Sequence, residues 1–259
     1  MKTLPVLISI PHGGTYIPEE LKGSIQLSPL DLIDDSDAFT REIYDIKERA
    51  TSVIKADILR AIVDLNRSID QRPPDFPDGI IKSHTCYGKQ IYHKGKEPDS
   101  NQINDLIQSF YQPFHESLKN AQVQLTDVIE LALDCHSMAA IGPEISKDQG
   151  KNRPLMCLGN LWGQSCSDDA MNHLADCFCQ SFGFKSTDIQ TNQPFAGGYI
   201  TQTYGKQTIP WIQVEMSRAL YMTSPYFDRQ TLQIDSHRLT VLNQNFQAGL
   251  ALYFNEKES

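Results

Sequence analysis

Leu4-Pro5-Val6-Leu7-Ile8-Ser9-Ile10-Pro11-His12-Gly13-Gly14 is a short apolar run closed by a turn. A run of this length reads as a buried strand, and Pro11 with the paired glycines stops it. Three further segments share the pattern of an apolar run ending in polar, chemically capable residues. They are Ala61 to Asp64 before Asn66-Arg67, Leu131 to Leu133 before Asp134-Cys135-His136, and Ile209 to Val214 before Glu215. Helical patterns lie between and after them. Ile103, Leu106, Ile107, Phe110, Phe114 and Leu118 recur at helical spacing, as do Leu239, Leu242, Phe246 and Leu250. Asp37 to Arg49 and Ser167 to Phe182 are fainter helix patterns. The proline-rich stretch from Arg72 to Gly79 is loop, and Gly142 to Pro154 reads the same way. Strands alternating with helices, with no repeat, low-complexity tract or long linker, predict one α/β domain over residues 1–259.

Composition narrows the class. With 40% hydrophobic and 21% charged residues the chain is globular, and at its length about 70–75% of the extended surface is buried on folding. Such a core needs no staples, so the six scattered cysteines, none in a Cys-x-x-Cys pair, read as reduced thiols. No stretch approaches the roughly 18 to 20 apolar residues of a membrane span. Met1-Lys2-Thr3-Leu4-Pro5 runs straight into the first strand without a signal-like apolar region, so a cytoplasmic protein is expected. A net charge of −9 argues against nucleic acid or an anionic membrane as partner. Oligomeric state is not encoded in these patterns.

Ligands of an open α/β sheet bind beyond the carboxyl ends of its strands. The four segments end in His12, Asn66-Arg67, His136 and Glu215, so one crevice can gather two imidazoles, an amide, a guanidinium and a carboxylate. Two neutral imidazoles and a carboxylate make a zinc set with one position left open. Each residue has a plainer use too. His12 fits a turn, and Asp134, on the same strand face as His136, makes either a buried polar pair with it or an orienting carboxylate behind a ligand. Asp34, Asp35 and Asp37 crowd the start of the Ala38 to Arg49 pattern, where acids complement a helix dipole. Three carboxylates exceed the needs of one cap; Asp37 is favoured as the third ligand, with Asp35 its rival. Glu215 is either an ion-pair partner of Arg218 or a general base tuned by burial. Asn66-Arg67 suits a substrate carboxylate, because a planar fork and an amide donor converge there. His84, His93, His115, His173 and His237 read as surface or packing residues. Nucleophile-elbow, Walker, dinucleotide-binding and His-Glu-x-x-His motifs are missing from the sequence.

In order, Ser9-Ile10-Pro11-His12-Gly13-Gly14, Val63-Asp64-Leu65-Asn66-Arg67, Asp134-Cys135-His136-Ser137-Met138, Phe195-Ala196-Gly197-Gly198-Tyr199-Ile200 and the run from Gln213 to Met222 resemble the N-formylglutamate amidohydrolase (deformylase) family, from about Val6 to Pro225. The resemblance implies a zinc-exopeptidase-like (phosphorylase/hydrolase-like) fold, a three-layer α/β/α sandwich around a mixed sheet, shared with zinc carboxypeptidases and aspartoacylase. It implies that His12, His136 and an acid from the Asp35/Asp37 pair hold Zn2+ or another divalent metal, and that Glu215 is the catalytic carboxylate. Asn66 and Arg67 would hold a substrate carboxylate, Arg218 and Tyr221 would border the pocket, and Gly197-Gly198-Tyr199 would form a loop over it. The implied activity is metal-dependent hydrolysis of a small anionic N-acyl amino acid, N-formyl-L-glutamate to glutamate and formate, as in histidine degradation. Two departures bear on the acyl pocket. Asp35-Ser36-Asp37-Ala38-Phe39 stands where histidine-degrading members carry Asp-Thr-Asp-x-His, and Asn66-Arg67-Ser68 where they carry Asn-Arg-Pro. An amidase for another N-acyl amino acid or a cell-wall peptide therefore stays open, as does a non-catalytic binding protein.

Overall fold

The computed structural model describes residues 3–254. Six strands, β1 (Leu4–Ile10), β2 (Ala50–Lys55), β3 (Leu131–Met138), β4 (Met156–Gly159), β5 (Ile189–Thr191) and β6 (Trp211–Ser217), form one sheet in the order β2-β1-β3-β6-β4-β5. The pairs from β2 to β6 are parallel and β4 runs antiparallel to β6, so the sheet is mixed. The helices are α1 (Glu19–Lys22), α2 (Pro29–Asp35), α3 (Thr40–Tyr44), α4 (Ser100–Leu106), α5 (Gln112–Gln124), α6 (Asp168–Phe182), α7 (Tyr199–Tyr204) and α8 (Ser236–Tyr253). Helices α3, α6 and α8 bury one face of the sheet around Ile8, Leu133 and Val214. The other face, around Leu7, Ala132 and Trp211, is covered by α5, α7 and the irregular segment after β2. The result is a three-layer α/β/α sandwich. None of its described helices is long and apolar enough to cross a membrane, and all six cysteines are free thiols.

Three sequence expectations are corrected. Ala61 to Asp64 is not a strand; Ile58 and Leu59 make isolated bridges to Tyr16 and Gly14, and the chain then turns. Ala61, Ile62 and Val63 are wholly buried all the same, so their hydrophobicity reports burial against the sheet and not pairing within it. The Asp37 to Arg49 helix shrinks to α3, preceded by Phe39 at φ 65°. The helix that precedes the acids is α2, started by a Ser28/Asp31 capping box with Pro29 in its first turn. Asp34 and Asp35 thus sit at a helix C-terminus, where the dipole disfavours acids, and each is met by a cation, Arg229 and Lys82 respectively. The Ile103 to Leu118 helix is interrupted by a π-helical turn over Ile107–Tyr111. Pro113, two residues after that turn, brings no N–H for the Ser109 carbonyl, which gives a local cause for the extra residue in it.

His115 is a packing residue, as read from its place in the helix pattern. Its ring lies among Tyr111, Tyr199 and Tyr204, with Nδ1 3.0 Å from the Tyr204 hydroxyl and Nε2 2.9 Å from the Leu65 carbonyl. Burial pushes its pKa down to about 4. A histidine that titrates near 6.5 in the unfolded chain but near 4 in the folded one contributes stability that is complete above pH 6.5 and lost as pH falls towards 4. The loss amounts to at most about 3 kcal/mol. Urea unfolding between pH 4 and 7 is expected to show this slope in the wild type and a flatter one in His115→Gln; equal slopes would refute it.

Candidate active site

The α5/α7 face of the sheet changes character along each central strand. Side chains alternate, so Leu7, Ala132 and Trp211 share this face, and after each the next inward residues are polar: Ser9, then Asp134 and His136, then Gln213 and Glu215. The register sets Ser9 beside Asp134, Asp134 beside Gln213, and His136 beside Glu215. His136 and Glu215 therefore lie inside β3 and β6, not beyond their ends. His12 follows β1 by one proline, and its carbonyl accepts the Asp37 N–H at 3.3 Å.

Asp37 Oδ2 lies 3.2 Å from His12 Nδ1 and 2.9 Å from His136 Nδ1, and the three groups offer ligand atoms all within 4.8 Å of one another. The far nitrogen of each imidazole is held by a buried carboxylate. His12 Nε2 is 2.8 Å from Asp64 Oδ1, and His136 Nε2 is 3.1 Å from Asp134 Oδ2, with Asn66 Nδ2 also at 3.1 Å. Such outer partners fix the ring and leave the opposite nitrogen free for a metal. Burial opposes ionisation of Asp37, but His12 and His136 prevail and hold its carboxyl well below the usual range. Burial likewise opposes a charged His136, and Asp134 and Asp37 outweigh it, so its pKa rises. Glu215 is different: burial pushes it up to about 7 against the pull of His136, while Gln213 Nε2 donates to its Oε1 at 2.8 Å.

Asp35 is not in this cluster. Its oxygens accept from Lys82 Nζ at 2.8 and 3.0 Å and from the Cys86 N–H at 2.7 Å. Arg218 is not a partner of Glu215; it donates to Ser137 Oγ at 3.1 Å and the Asp34 carbonyl at 2.6 Å, with Nη2 3.5 Å from Asp37 Oδ1. Arg67 gives Nε and Nη2 to the Asp78 carbonyl and Oδ2, both at 2.9 Å, and Nη1 to the Asn66 carbonyl at 3.1 Å. Two of a guanidinium's five N–H donors make no hydrogen bond there, and Nη2 also lies 4.0 Å from the buried Asp64 Oδ2. Asn66 Oδ1 accepts the Ile200 N–H at 2.7 Å, and a Cβ on Gly198 would stand 2.3 Å from Asn66 Nδ2, so the backbone at Gly198 can close over Asn66 only without a side chain. The Gly198 N–H donates to Gln213 Oε1. Tyr199 starts α7 with its ring 5.8 Å from His115. Tyr221 is wholly buried and its hydroxyl donates to the Ala38 carbonyl at 3.0 Å, which places it behind the Asp37 segment instead of at a pocket wall.

Sequence reasoning missed Asp64, Gln213 and Arg60. Asp64 carries a signal, since it precedes Asn66 by two residues as Asp134 precedes His136. Arg60, whose Nε donates to Asp64 Oδ2 at 3.0 Å and whose Nη1 lies 3.8 Å from Asp37 Oδ1, belongs to no motif.

A family model described as N-formylglutamate amidohydrolase matches residues 4–222. A curated N-formylglutamate deformylase of Pseudomonas putida is 27% identical over 257 residues, 96% of this chain and 93% of that protein. One from Pseudomonas aeruginosa is 26% identical over 226 residues, 85% and 82% of the two chains. The crystal structure of an N-formylglutamate amidohydrolase from Ralstonia eutropha superposes with a TM-score of 0.80 at 20% identity, covering 98% of this chain and 95% of that one.

Proposed function

We propose, because this chain belongs to the N-formylglutamate amidohydrolase family, that it hydrolyses N-formyl-L-glutamate to L-glutamate and formate with the help of a divalent metal, zinc by preference. The observation that carries the reading is the convergence of His12 Nδ1, His136 Nδ1 and Asp37 Oδ2, with Glu215 beside His136 in the strand register. Two imidazole nitrogens and one carboxylate oxygen, each imidazole anchored from behind, fit zinc in number, type and orientation. His12, Asp37 and His136 would hold the metal, which when bound supplies a Lewis acid for the amide carbonyl and lowers the pKa of water. Glu215 takes the proton of the attacking water and returns it to the departing amine nitrogen. A carboxyl raised to about 7 is matched to both transfers near neutral pH. Gln213 holds Oε1, so Oε2 is the atom that carries the proton. Arg67, aimed by Asp78, offers its remaining donors to a substrate carboxylate. Arg60 and Arg218 add positive charge beside Asp37, which favours a doubly anionic substrate in an acidic chain.

Formate release from N-formyl-L-glutamate is the direct test. Turnover is expected to stop on chelation, to return with zinc, and to fall about tenfold or more in kcat/KM for the carboxyl-blocked ester. Zinc-replete protein that releases no formate would overturn the reading.

A further inference from the structure

Lys82 lies in the irregular segment between β2 and α4 with no side-chain surface exposed. Its Nζ donates to the Asp35 carboxylate, with Oδ2 at 2.8 Å and Oδ1 at 3.0 Å, and forms an ion pair at 2.9 Å with Asp78 Oδ1, an oxygen that has no hydrogen-bond partner. Each carboxylate leads to a different part of the site. Asp35 ends α2, two residues before Asp37, and also accepts the Cys86 N–H. Asp78 holds the Arg67 guanidinium through Oδ2 and its carbonyl. One buried cation thus joins the segment that carries Asp37 to the segment that carries Arg67.

A buried ion cluster is a poor device for stability alone, because apolar packing of the same volume does as well without desolvating charge, and its best-attested use is to fix one arrangement. A lysine suits the position, since its compact ammonium can face three oxygens on two segments, whereas a planar fork favours one carboxylate.

We propose that Lys82 is a positioning residue with two arms: through Asp35 it sets the Asp37 carboxylate for the metal, and through Asp78 it sets the Arg67 guanidinium for the substrate carboxylate. The inference rests on the metal and substrate reading above. Its consequence is that the two arms are separable, because Asp35→Asn weakens only the first and Asp78→Asn only the second.

The experiment measures zinc affinity of apo protein by competition with a chromogenic chelator, then KM and kcat for N-formyl-L-glutamate at saturating zinc, and Tm. Asp35→Asn is expected to weaken zinc about tenfold, the lower end of what loss of a ligand-orienting group costs, because the segment that carries Asp37 loses its anchor on Lys82, with KM within about twofold of wild type. Asp78→Asn is expected to raise KM about tenfold with zinc affinity within about twofold. Lys82→Met should show both changes; if it does not fold, the two Asn variants decide. Lower Tm with zinc affinity and KM unchanged, or the same shift of both constants in both Asn variants, would leave Lys82 a purely structural residue and overturn the proposal. Wild-type protein that binds zinc without releasing formate would refute the substrate reading, and the zinc arm alone then judges Lys82. Wild-type protein with no zinc affinity would remove both.

Discussion

Glu215→Gln is expected to lower kcat by about 10²–10⁴-fold while the protein folds and keeps its metal. The amide is nearly isosteric, and its carbonyl oxygen can still accept from Gln213 Nε2 where Oε1 now does at 2.8 Å. It cannot take a proton from water or return one to the amine. Stability should hold or improve, since burial already disfavours the charged carboxylate enough to raise its pKa to about 7. A Glu215 whose purpose was an ion pair with Arg218 would behave in the opposite way, losing Tm and keeping turnover. That alternative is weak on geometry, because the Arg218 guanidinium is taken by Ser137, the Asp34 carbonyl and Asp37. Zinc content, Tm and kcat measured on one preparation separate the two. Turnover near the wild-type level would remove the general base from this site.

The legible parts of the fold are those in which burial and strand pairing coincide. β1, β3 and β6 are central and covered on both faces, so they read as continuous apolar runs. Ala61 to Val63 is as apolar and as buried, yet it packs in the cluster on one sheet face with no ladder of its own, and composition alone cannot tell the two cases apart. The same limit divides the site. His12, His136 and Glu215 stand at ends of apolar runs and are visible there, whereas Gln213 looks like one more residue of a buried strand. Asp35 and Asp37 cannot be distinguished by spacing, because the chain leaves α2 between them and regular periodicity ends. What separates them is a cation 47 residues away, Lys82, which claims Asp35 and leaves Asp37 to the imidazoles.

Asp37→Asn, His12→Ala and His136→Ala are each expected to abolish stoichiometric zinc and, with it, the rise in Tm that zinc confers on the wild type. A ligand that binds only the folded state stabilises it by about 4 kcal/mol at a thousandfold excess over Kd, so the shift is a direct reading of the site without substrate. Asp35→Asn should keep a zinc-dependent shift, displaced to higher zinc concentration. Retention of stoichiometric zinc by Asp37→Asn would return Asp35 to candidacy, and retention by both histidine variants would end the assignment. The two histidine variants should nevertheless differ in their metal-free stability. Removing His12 leaves Asp64 with Arg60 Nε at 3.0 Å and the Asn66 N–H at 2.9 Å, so that buried carboxylate stays compensated. Removing His136 leaves Asp134 only the Ser9 and Thr201 hydroxyls, both at 3.3 Å. A buried carboxylate without a cationic partner is costly, so metal-free His136→Ala should melt well below metal-free His12→Ala. Equal Tm values would mean that Asp134 is carried by the surrounding polar groups and that His136 faces the metal without depending on the carboxylate behind it.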